Sequence, residues 1–337
     1  MKIKYVLIIL LYGFLVHCPS GGIAQEKIKT GLVLADSHDS TGLKLRTMPL
    51  KRHFDFKNAT LDVTDQYQEK FFARPGIHQG RLACAGIALV SLNYIAYQPF
   101  KDAWWKEKRT HFHFYQGWRR NRGYLDFGWH DTLYGHIDKL GHYFSAKLMS
   151  AQIQDISRWI GFDEQSSELI GPILSSLLML EIEIYDGFFK DWGFSLADFT
   201  ANELGAFSPM IREKVAFLNN FQFKFSYHQS NFPNQESTFI KDYPGMTFWL
   251  CFNARAAFPG KTKNYVPSWL NLALGYSVSK PARGDIELFL APDINWMKLP
   301  LGHSQTTYFI QKTLNYFHFP CFALKLTPNK KFYPIYF

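Results

Sequence analysis

Three clusters of polar residues interrupt an apolar stretch of this chain, and their spacing constrains its fold more than any other feature. They are DKLGH (138–142), EIYDG (183–187) and SLADFTANELG (195–205). On a helix, positions three and four apart share a face. Asp138 then sits beside His142, Glu183 beside Asp186, and Asp198 beside Asn202. The run GPILSSLLML leads straight into Glu181. A carboxylate in such surroundings must be paired, protonated, bound to a cation or turned toward water. Three helices meeting with these faces inward would enclose one acidic pocket containing a histidine.

The expected pocket consists of Asp138, His142, Glu183, Asp186, Ser195, Asp198 and Asn202. His142, Glu183 and Asp186 are the candidates for acid–base work, because an imidazole beside carboxylates can take and give a proton near neutral pH. A divalent metal is the one cofactor this donor set suits: His142, Glu183, Asp186 and Asp198 offer the mixed nitrogen and oxygen ligands of zinc or manganese. No H-E-x-x-H spacing accompanies them. Each cluster also has a plainer reading. Asp138 suits the start of a helix, and Ser195 with Asp198 spells a capping box. His130, Asp131 and His136 lie close enough in sequence to reach the rim. There is no G-x-S-x-G elbow, P-loop or dinucleotide fingerprint.

The order D-K-x-x-H, E-x-x-D, S-x-x-D-x-x-x-N-x-x-G resembles the YfiM-like family of Gram-negative envelope proteins, over residues 125–206. It is more distantly similar to the VanZ-like membrane proteins, whose pattern has Gln where this chain has Asp186 and an Arg ahead of the Ser, where the nearest basic residue here is Lys190. FWLCFN and PSWLNLALGY look like the C-terminal extension of long YfiM-like members. The resemblance implies an envelope location and a shared helical core. It supplies no reaction.

The first residues read as an export signal. Lys2 and Lys4 precede an apolar segment, and Gly22-Ile23-Ala24 suits cleavage before Gln25. The alternative is lipid attachment at Cys18, with His17 standing where such a site wants a small residue. An exported chain meets an oxidising compartment, so Cys84, Cys251 and Cys321 are read either as one disulfide, Cys251 with Cys321, or as packed thiols. The net charge of +9 concentrates in residues 101–124, where Lys and Arg alternate with Trp104, Trp105, Phe112, Phe114, Tyr115 and Trp118. That mixture reads as an interfacial segment, or as a loop whose aromatics pack on the core. No nucleic-acid motif accompanies it, and nucleic acid is not an expected partner.

Residues 25–80 are an irregular lead-in, and 81–215 form the helical core. Residues 82–100 are uncharged, long enough for a short bilayer span or a buried central helix. Further helices are expected over 137–160, 167–185 and from Ser195. From 216 onward the period changes to strict alternation, as in FQFKFSY and IELFL, giving about five strands broken by a helix near 308–317. The expected fold is α+β: about four core helices, possible membrane association, and a small antiparallel C-terminal sheet. The expected role is binding or scaffolding at a membrane face, with membrane or envelope components as partners. The competing role is a membrane-proximal hydrolase or transferase acting on lipid-linked or peptidoglycan-related material. The expected location is the periplasm or the membrane surface of a Gram-negative-type envelope.

Overall fold

The computed structural model describes residues 76–116, 127–129, 134–230, 239–258, 260–302 and 304–337. The export signal, most of the lead-in, Trp118, His130 and Asp131 lie outside the described residues. Four long helices come first: α1 (Gln79–Trp104), α2 (Ile137–Ile160), α3 (Glu164–Asp186) and α4 (Leu196–Lys214). A six-stranded antiparallel sheet follows, in sequence order: β1 (Phe221–Tyr227), β2 (Met246–Asn253), β3 (Leu270–Val278), β4 (Ile286–Ile294), β5 (Cys321–Lys325) and β6 (Lys331–Tyr336). The short α5 (Gln305–Leu314) lies between β4 and β5. The architecture is α+β.

Local chemistry explains the helix ends. Asp163 caps α3 by accepting from the Ser166 amide, and Ser195 caps α4 by accepting from the Asp198 amide. Gly161 ends α2 at φ 109°, a left-handed conformation that favours glycine. α2 packs between α3 and α4, and the α2–α4 approach is close because Gly205 has no side chain. A Cβ there would lie 2.2 Å from the Tyr143 carbonyl oxygen. That approach brings the polar faces of α2, α3 and α4 within hydrogen-bond reach of one another.

α1 lies against this three-helix core more loosely. Arg81 reaches the Trp159 carbonyl, and Asn93 donates to Glu181 at 3.0 Å. Its outward face is apolar and open, with Val90 70 % and Tyr94 79 % exposed. Its length and composition would let it cross a membrane. The first part of the aromatic, basic segment is a packed loop: Phe112 and Phe114 contact Phe188 and Phe194, and the Tyr115 amide donates to the Phe194 carbonyl.

The sheet joins the helices through Phe144 and Ile137 of α2, which pack with Phe225, Phe248 and Val278. It has one more strand than the sequence pattern suggests. The strand CFALK was missed because it lacks polar alternation and is short. Cys84, Cys251 and Cys321 are all free thiols, which corrects the disulfide reading. Cys321 instead contacts the Pro292 carbonyl and the His318 ring.

Candidate functional site

The three polar faces meet around His142. Its Nδ1 is 3.0 Å from Asn202 Oδ1 and 3.4 Å from Glu183 Oε1. Asn202 donates through Nδ2 to the same Glu183 oxygen at 3.1 Å. Asn202 is wholly buried and Glu183 is 1 % exposed, whereas the His142 side chain keeps 24 % of its surface open. Three helices thus contribute one side chain each to a single chain of contacts: His142 from α2, Glu183 from α3 and Asn202 from α4.

Lys139 ties the remaining carboxylates to this centre. Its Nζ lies 2.8 Å from Asp138 Oδ2 and 2.7 Å from Asp198 Oδ1. Asp138 therefore pairs with its sequence neighbour rather than with His142. Asp186 turns the other way and accepts from Trp105 Nε1 at 2.6 Å. The Trp105 ring in turn stacks on Tyr185, with centroids 4.8 Å apart. The expected pocket included neither Lys139 nor Trp105. Lys139 was legible as a charge beside Asp138, but Trp105 comes from the far end of α1 and no spacing announces it.

Burial and charge set the protonation of the cluster. Loss of solvent pushes the Glu183 carboxyl up to about 8 against the opposing pull of His142, with Asp198 and Asp186 adding to the rise. Burial likewise raises Asp186 to about 7, although the Trp105 hydrogen bond works against it. Burial disfavours charge on His142, but Asp198 and Glu183 outweigh that, and its pKa is raised. Burial opposes charge on Asp198 too, yet His142 and Lys139 hold it below the usual carboxylate range. The result is an ionised Asp198 beside a proton held within the His142–Glu183 pair.

This centre backs onto a cavity of about 490 Å³ between α1 and the core. Leu89, Leu92, Phe100, Leu148 and Phe248 are among its apolar walls, and His142 and Asp138 belong to its polar lining. Trp105 lines it as well, so Asp186 stands one hydrogen bond behind the wall. Glu183, Asp198 and Asn202 lie behind His142. Asp138, an expected pocket residue, is at the wall. Ser195 is engaged at the α4 cap.

Of the four candidate metal ligands, His142, Glu183 and Asp198 have donor atoms within 4.8 Å of one another. Asp186 is not in that group. The Lys139 ammonium already stands against Asp198, supplying the positive charge that a cation would otherwise bring.

Residues 126–214 match the family model DUF2279, described as a predicted periplasmic lipoprotein. The matched segment holds α2, α3 and α4 and every residue of the cluster except Trp105. No curated protein and no solved structure matches the chain. The match and the leader-like first residues agree: this is an exported protein of the cell envelope, periplasmic or membrane-associated.

Proposed function

We propose that the chain binds an amphiphile at a membrane face, taking its apolar tail into the cavity beneath α1 and its polar head near His142 and Asp138. The observation that carries this reading is the cavity itself. Its walls are predominantly apolar, and one proton-holding cluster stands behind part of its lining. Ligand sites of roughly 300–1,000 Å³ with a few convergent polar groups are the usual form for small amphiphilic molecules. The exposed apolar face of α1 would keep the site at the lipid surface.

Native mass spectrometry of the mature protein, taken from membranes in mild detergent, tests it. A bound lipid-like mass is expected, and Ala96→Trp, which fills the cavity from α1, should lose it. An empty wild-type protein that takes up nothing from lipid vesicles would sink the proposal.

One observation favours a second reading, a hydrolase or transferase acting on lipid-linked or peptidoglycan-related material. His142 at the cavity wall is joined through Asn202 to Glu183, an arrangement able to accept and return a proton. Under this reading Glu183→Gln abolishes turnover of a lipid-linked substrate while leaving the bound mass in place. Under the binding reading no turnover is found and the two proteins carry the same ligand.

A further inference from the structure

The C-terminal sheet has a mixed polar and apolar interior and an apolar outer face. Side chains alternate across a strand, so every strand presents one set to the hollow of the curled sheet and the other outward. Inside, Lys224, Asn271, Asp293 and Ser277 lie beside an apolar cluster of Trp249, Cys251, Ala273, Phe289, Ala291 and Ala323. These polar groups are satisfied internally. Lys224 Nζ is 2.8 Å from Asp293 Oδ2 and donates to the Ile294 carbonyl. Asn271 Nδ2 donates to Asp293 Oδ2 at 2.9 Å, and His318 Nδ1 is 3.1 Å from Asp293 Oδ1. Outside, among the described residues, α2 covers the part around Phe223, Phe225, Phe248 and Val278. The remainder carries Leu250, Leu272, Leu274, Phe322, Phe332 and Ile335 in the open, the last two 61 % and 65 % exposed. No charged residue occupies an outward position from Met246 on β2 to Leu324 on β5. A sheet with one face in water carries polar side chains on that face, and from β2 to β5 this outer face has no charged ones.

A second feature lies at one end of the same sheet. The connection from β2 to β3 and the turn after β4 meet there, because Leu270 pairs with Ile294. This end carries Arg255, Lys261, Lys263 and Lys298 beside the exposed aromatics Tyr265 and Trp269. Aromatic rings with basic side chains are the chemistry of the headgroup layer, where rings sit among headgroups and ammonium or guanidinium groups meet phosphate. The free side of β1 is paired at Phe225. The Phe225 amide donates to the Tyr316 carbonyl, and the His318 amide donates to the Phe225 carbonyl. Unpaired backbone is what hydrocarbon does not tolerate.

We infer that the outward face of this sheet is seated in the hydrocarbon of a lipid bilayer, with the Arg255–Lys298 end at the level of anionic headgroups. The occupant is lipid rather than a second copy because the charged rim is of one sign, which suits phosphate and repels its own image. This surface is separate from the cavity beneath α1, and its test does not depend on what the cavity holds.

The mature protein is mixed with vesicles of phosphatidylethanolamine and phosphatidylglycerol, and binding is read by flotation. The double variant Leu272→Lys/Phe322→Lys should lose at least tenfold in vesicle partitioning while keeping its circular dichroism spectrum. Val90→Lys on α1 serves as a separate control for membrane contact by that helix. Should the double variant fail to fold, depth decides the matter. A fluorophore on Leu274→Cys, in a Cys84→Ser/Cys321→Ala background, should be quenched by lipids brominated along the acyl chain and not by aqueous iodide. A folded double variant that partitions within twofold of the parent overturns the inference. So does iodide quenching at position 274, or a lipid-free dimer that the same double variant dissociates.

Discussion

Lys139 is the residue on which the charge balance of the cluster turns. Its ammonium faces two carboxylates, and removing it would leave Asp198 in a largely buried site beside other acids. Breaking a buried pair from one side costs several kcal/mol, so Lys139→Met should destabilise the fold by about 3 kcal/mol in urea unfolding. A compensating Asp198→Asn should recover part of that loss. Glu183 gives a second expectation, this time in pH. Between its ordinary value of 4.5 and about 8, the folded chain holds a proton that the unfolded chain has released. Stability must then fall as pH rises through that window. His142, also raised, adds to the fall above 6.5. The melting temperature should drop from pH 5 to pH 9, and Glu183→Gln, which cannot titrate, should flatten the curve. A flat wild-type profile would mean that the carboxyl is ionised and solvated.

The elements were legible to different degrees, and the reasons are physical. α2 was readable over its full length because apolar and polar residues alternate at helical spacing and Gly161 stops it. For α3 the apolar run is plain, but its first turn, Glu164–Ser166, is polar and adds nothing to the apolar period, so the expected helix begins at 167; Asp163 as its cap explains the earlier start. α1 continues through Pro99 to Trp104, past the point where an uncharged run ends, since Pro inside a helix can be carried by neighbouring packing. Spacing on single helices put His142, Glu183 and Asn202 on faces that meet, and it could not say which partner each would take. Asn202 is the instance: read as a companion of Asp198, it bridges His142 and Glu183 instead. The α2–α4 contact that allows this depends on Gly205. Gly205→Val should part the helices, cost about 2–3 kcal/mol and shift the pH profile of the His142–Glu183 pair, measurable by histidine NMR.

Across the whole molecule, the α+β division was legible from the change of period near residue 216, whereas the sense of the sheet was not. Alternation shows that two faces differ, and only the curl decides which is inside. Export was legible from the first residues, and the family description raises the Cys18 alternative beside cleavage before Gln25. Intact mass of the mature protein separates the two: a start at Gln25 supports cleavage there, and a diacylglyceryl mass on Cys18 replaces that reading.

The strip formed by Tyr316, Phe317 and His318 along β1 also fixes an order of events. The helices make their contacts among near neighbours in sequence and can settle early, while β1 must wait for a segment synthesised much later. In a chain translocated from its N-terminus, the edge of β1 stays bare until nearly all of the protein has emerged. A bare edge beside an apolar face is a template for wrong pairing. Truncation just before Tyr316 should therefore leave a chain that aggregates on refolding where the full chain does not, as light scattering would read.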